Sequence, residues 1–169
     1  MATAKAGDFG VSGMNLWVER LRDTRTKKGW ATLFADDHRR RQALTQVQEF
    51  LAGDEWSGSG ALRPLYADFL GEAATGCGLP CEDVARKYQA LGVVWDSFAD
   101  SIDPNCPSES VRELFGSMAS QLEYLATDEF AAAVLLRGAA EGTLPVRRGD
   151  REPSSRHANE GDQSAVGRL

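Results

Sequence analysis

Apolar residues recur at helical spacing along most of this chain. The clearest run follows Pro80, where Val84, Tyr88, Leu91, Trp95, Phe98 and Ile102 are separated by alternating steps of four and three. Such a heptad-like seam packs against neighbouring helices. Asp103-Pro104-Asn105 stops it, because a proline disfavours helical backbone in the residue before it. A second pattern, Leu62, Leu65, Tyr66, Phe69, Leu70 and Ala73, has the spacing of a helix buried along one face. Its helix is predicted from Arg63 to Thr75, with Pro64 in the first turn, where a missing N–H costs nothing. Gly76-Cys77-Gly78-Leu79 breaks it.

The remaining elements are also helical. Leu16, Trp17, Arg20 and Leu21 mark a first amphipathic helix, and Trp30 to Ala35 a short one presenting Trp30, Leu33 and Phe34. Asp36 or Asp37 caps the next, which runs to Ala52, buries Leu44, Val47, Phe50 and Leu51, and ends at Gly53. Asp54 to Gly60, with Trp56, reads as a Gly- and Ser-rich loop. Ser110-Val111-Arg112-Glu113 reads as a capping box opening a helix with Leu114, Met118, Gln121, Leu122 and Leu125. Thr127-Asp128-Glu129 reads as the cap of a separate final helix, Phe130 to Ala139. Strand-like alternation and internal repeats are absent from the pattern. The expected fold is all-α, a single-domain helical bundle of about five to seven helices. It has a flexible N-terminus over 1–13, the bundle over 14–143, and a tail over 144–169. The tail has almost no large apolar residue and cannot offset its ordering entropy, so it is expected to be disordered.

Composition changes this picture little. The 169 residues suit one domain with a real core, and the apolar fraction is ordinary for a soluble protein. No apolar run approaches a membrane span, and the first residues lack the apolar core of a signal peptide. Three cysteines, an odd number, read as reduced thiols in the cytoplasm. Charge is more informative. Residues 1–41 hold nine Lys/Arg against five Asp/Glu, while residues 42–143 hold five against sixteen. Two readings stay open: solvated faces that keep the chain soluble, or a basic N-terminal part that meets an acidic partner or a second copy in a homodimer. An acidic body argues against nucleic acid.

Candidate chemistry is sparse. Cys81 follows Pro80 at a helix start, where free N–H groups favour a thiolate, yet Glu82 and Asp83 oppose ionisation. The two histidines, His38 and His157, offer it no evident base. A structural cysteine is the better reading. Cys77, Cys81 and Cys106 supply three thiolates without a clear fourth zinc ligand, and no paired Glu-x-x-His motif for a di-iron bundle occurs. No metal or cofactor is therefore expected. Asp68 and Glu72 lie four apart on one helix face. Close carboxylates repel and raise one pKa, which suits acid–base work, although bonding to Arg63 or another arginine is the structural alternative. Charges among apolar positions suggest a pocket in which Arg63, Tyr66, Tyr88 and Trp95 bind substrate beside catalytic Asp68 and Glu72. His38-Arg39-Arg40-Arg41 sits at a helix N-terminus, where cations oppose the helix dipole. Arg39, Arg40 and Arg41 are either a partner site or a solvated run.

Arg63-x-x-Tyr66-Ala67-Asp68-Phe69-Leu70-x-Glu72-Ala73, followed by Tyr88 to Trp95, resembles the C-terminal helical region of the butirosin-type acyltransferase family. Gly29-Trp30-Ala31-x-x-Phe34 is similar as well, so the resemblance spans roughly residues 10 to 125. Members of that family pair this region with an N-terminal cysteine-peptidase-like domain, and transfer an aminoacyl group from an acyl carrier protein to an amine in antibiotic biosynthesis. That catalytic domain has no matching segment here, so the resemblance carries over no catalytic residue.

It implies a stand-alone helical protein of specialised metabolism that binds an acyl or polycyclic intermediate, or its carrier protein, and assists its conversion. The alternatives are a non-catalytic interaction module complementing a separate acyltransferase chain, and a structural or regulatory bundle.

Overall fold

A computed structural model describes residues 10–53 and 59–142. Six α-helices fill them: α1 (Gly10–Arg22), α2 (Trp30–Leu33), α3 (Asp37–Ala52), α4 (Arg63–Cys77), α5 (Glu82–Asp100) and α6 (Val111–Ala140). A short 3-10 turn, Gly60–Leu62, leads into α4. No strand occurs among the described residues, and the fold is the expected all-α bundle. The expected flexible start is helical from Gly10 onward; the rest of that segment, the loop at 54–58 and the C-terminal tail lie outside the described residues.

α5 is the centre. Its predicted seam is buried throughout, with Val84, Leu91, Phe98 and Ile102 at most 2 % exposed and Tyr88 and Trp95 at 8 % and 5 %. α3, α4 and α6 pack around it, and α1 and α2 pack on α6. Trp17, Trp30, Phe98 and Phe115 meet edge-on or tilted between these helices, with ring centres 5.7–5.8 Å apart, a favourable arrangement for aromatic quadrupoles.

α6 corrects the expected break near Thr127. It runs unbroken for 30 residues because its apolar phase never lapses: Met118, Leu122, Leu125, Glu129 and Ala132 are all buried. The side chains that would cap a new helix are engaged elsewhere. Thr127 donates to the Glu123 carbonyl one turn back, Asp128 accepts from Lys87, and Glu129 accepts from α4 and α5. The capping box is also absent: Ser110 precedes α6 with helical backbone and no side-chain cap bond.

α3 is capped by Asp36, whose carboxylate accepts from the Arg39 N–H at 2.8 Å, and it ends at Gly53 with φ 76°. Leu44 and Leu51 are buried as expected, but Phe50 is 80 % exposed. Gln48 takes the inward position instead. Its amide donates to the carbonyls of Ala99 and Ile102 at 3.2 and 3.1 Å, satisfying acceptors that the end of a helix leaves open.

Arg40 is a second departure. Expected as one of three solvent-facing cations, it is 4 % exposed. It donates to Asp37 at 2.7 Å, to the Ser108 hydroxyl at 3.2 Å, and toward the Cys106 and Phe34 carbonyls. The Ser108 hydroxyl and then Arg40 hold the Asp37 carboxyl below its usual pKa. Arg40 thus ties α3 to the segment between α5 and α6. Arg40→Met is expected to cost about 1–3 kcal/mol, the range for losing hydrogen bonds to a charged group. Arg41→Met, on the exposed side, should cost under about 0.5 kcal/mol. Urea unfolding of both variants checks the contrast.

Candidate functional site

The polar constellation at the centre of the molecule is assembled from α4, α5 and α6. Two glycines set its geometry. Gly60, at φ 64°, lies so close to Gly92 that a Cβ would sit 2.8 Å from the Gly92 Cα, and a Cβ on Gly92 would sit 2.7 Å from the Pro64 ring. The start of α4 is therefore pressed onto the middle of α5. The Gly60 N–H donates to Asp96 at 2.6 Å. From there α4 runs antiparallel to α5, so that Pro64 lies on Gly92 and Tyr66 lies against Tyr88, ring centres 4.8 Å apart.

This close approach decides which face of α4 turns inward. Ala67 and Leu70 are buried and Ala74 packs on the core, while Leu65 and Phe69 are 65 % and 60 % exposed. The buried set is displaced by one residue from the expected stripe, roughly 100° of helix rotation. Small residues face α5 because the glycine contact leaves little room for large ones.

The rotation also redistributes the candidate residues. Arg63, Tyr66, Tyr88 and Trp95, expected to line one pocket, do converge. Asp68 and Glu72 do not join them: both are exposed, and the expected cleft shared with Tyr88 or Trp95 is corrected. The carboxylate that meets this group is Glu129 of α6, 8 % exposed. Its Oε1 accepts from Arg63 Nε at 2.6 Å and from Trp95 Nε1 at 2.8 Å. Arg63 also donates from Nη1 to the Ala61 carbonyl at 2.9 Å. Glu129 is the residue that sequence reasoning missed. Its signal was present, since 118, 122, 125, 129 and 132 continue steps of four and three. An acid standing in such a seam calls for a buried donor.

The electrostatics follow. A buried carboxylate is costly unless paired, and here one oxygen takes a guanidinium and an indole donor together. The arrangement fastens α4, α5 and α6 to one another. Burial, then the Glu129 charge and Tyr66, push the Tyr88 phenol above its usual pKa, against the opposing Arg63 charge. A raised pKa means the folded state holds the phenolic proton more tightly. The associated stability is present below about pH 10 and is lost as pH rises through the folded value. Ultraviolet titration should show a late phenol phase from Tyr88, with stability falling only beyond about pH 10. A Tyr88→Phe variant should lose that late phase.

The other candidates are dispersed. Cys77 is exposed, while Cys81 and Cys106 are buried, all three as free thiols. Cys106 donates toward the Pro107 carbonyl, and burial pushes its thiol pKa up. Among the described residues no group of three or more His, Cys, Asp or Glu is placed to hold a metal ion, and no helix is long and apolar enough to cross a membrane. Of the basic cluster, Arg39 and Arg41 remain exposed, Arg39 over the Phe34 ring at 5.9 Å.

Comparison with curated proteins and with solved structures gives no match. One family does match, over residues 1–136, which takes in all six helices except the last turn of α6. With that span covered, the chain belongs to the family described as "Domain of unknown function (DUF4872)".

Proposed function

We propose that this chain is a non-catalytic helical module that complements a separate acyltransferase-type catalytic chain in specialised metabolism. One observation carries the reading: the outer face of α4. Leu65 and Phe69 stand there 65 % and 60 % exposed, with Leu62 at 46 %, flanked by the exposed carboxylates of Asp68 and Glu72. Apolar side chains grouped on one face and rimmed by charge are typical of a protein contact. The inner polar groups, by contrast, are committed to holding helices together. Glu129 is taken by Arg63 and Trp95, and Arg40 by Asp37 and Ser108.

The partner surface that fits α4 is apolar with basic residues at its edge, because α4 itself sets no cation beside Asp68 and Glu72. Arg63, the one basic residue of α4, points to Glu129. The test is reconstitution. A peptidase-like catalytic chain from the same biosynthetic system is assayed for acyl transfer from its carrier protein to an amine, alone and with this domain added. The reading expects activity to rise saturably with the domain. Activity that is complete without it, and unchanged by it, overturns the reading.

A further inference from the structure

We infer that α4 is a latched lid: it closes over the aromatic seam of α5, is held shut by the Arg63–Glu129 ion pair, and is loaded by a strained turn at its N-terminal end. Such a lid needs no partner to operate.

Three observations support it. The first is backbone strain. Gly60, Ala61 and Leu62 stand in succession at φ 64°, 49° and 65°. The left-handed region suits glycine, but for Ala61 and Leu62 it brings Cβ against the carbonyl oxygen. Two such residues in a row persist only where surrounding contacts hold them. The second is the identity of those contacts. Gly60 N–H is held by Asp96, the Ala61 carbonyl by Arg63 Nη1, and Arg63 Nε by Glu129. Arg63 thus grips the strained turn with one nitrogen and α6 with another. The third is position. Among the described helices α4 packs against α5 alone, and its outer face carries exposed Leu65 and Phe69. An element packed on one side only and entered through a strained turn is the one whose separate opening leaves the rest of the body packed.

Opening would relax the two left-handed residues and part Arg63 from Glu129. It would uncover Tyr88, which packs on Tyr66 and is 8 % exposed when the lid is shut. Trp95 would keep its bond to Glu129, since both lie outside α4. The opened surface is therefore an aromatic groove with a formed carboxylate at its edge.

Amide hydrogen exchange tests this on the full chain. The amides of α4 from Ala67 to Thr75 should exchange at least about tenfold faster than those of α6 from Phe115 to Leu125. Glu129→Gln keeps the shape and removes the charge. It should speed α4 by a further factor of about ten, the loss expected for a charged hydrogen bond. Leu62 reads the strain. Leu62→Ile, β-branched and least tolerant of positive φ, should speed α4 opening, and Leu62→Gly should slow it, by about fivefold between them. The wild-type chain alone can refute the lid: if α4 and α6 exchange together, they open as one unit. Unchanged α4 exchange in Glu129→Gln refutes the latch, and reversal of the Ile and Gly order overturns the strained turn.

Discussion

Trp95→Ala is expected to lower the stability of the domain by about 3–5 kcal/mol, the range for deleting a large core aromatic. Trp95 is 5 % exposed and meets Phe98 edge-on, ring centres 5.9 Å apart. Its removal leaves a cavity in the middle of α5 and takes one of two donors from Glu129. Trp95→Phe separates these effects. It retains most of the ring volume and loses only the N–H, so about 1–3 kcal/mol should be lost. Chemical denaturation of the pair measures the difference, which is the contribution of volume beyond that of the hydrogen bond.

Glu129→Ala is expected to cost about 2–4 kcal/mol, somewhat below the range for breaking a fully buried ion pair, because the Arg63 side chain is 30 % exposed and recovers some hydration. The Trp95 N–H has no such recourse. A double-mutant cycle with Arg63→Ala should return a coupling of about 1–3 kcal/mol, as contacting charged residues do. Additive losses would mean that the two side chains are neighbours without being partners.

These two sites also show what could be read from the chain. The seam of α5 was legible in full because six large apolar residues keep one phase over a long helix, and burial of a continuous stripe overrides local detail. The phase of α4 was not. Its apolar pattern is strong, but the facing surface is decided by contact of Gly60 and Pro64 with Gly92, which is distant in sequence and carries no hydrophobic signal. Four of the six residues assigned to a pocket, Arg63, Tyr66, Tyr88 and Trp95, meet as expected. The carboxylates were wrong because a one-residue rotation sends Asp68 and Glu72 to solvent. Glu129 was hidden behind the expected break at Thr127, where hydroxyl and acid side chains imitate a cap. Arg40 was hidden by its neighbours: three consecutive arginines read as one solvated run, although successive residues on a helix point in different directions. Phe50 and Gln48 exchanged roles for a related reason, since the carbonyls at the end of α5 needed donors that composition cannot reveal.

If α4 presents a docking face, affinity measures it directly. Isothermal titration of the domain against the peptidase-like catalytic chain should give saturable binding for the wild type. A Leu65→Asp, Phe69→Asp double variant should still fold, because both residues are largely exposed and Phe69 gives up only its stack on Tyr66, and should bind at least about a hundredfold more weakly, as loss of two central apolar anchors requires. Equal affinity of the wild type and the double variant would contradict a docking role for α4.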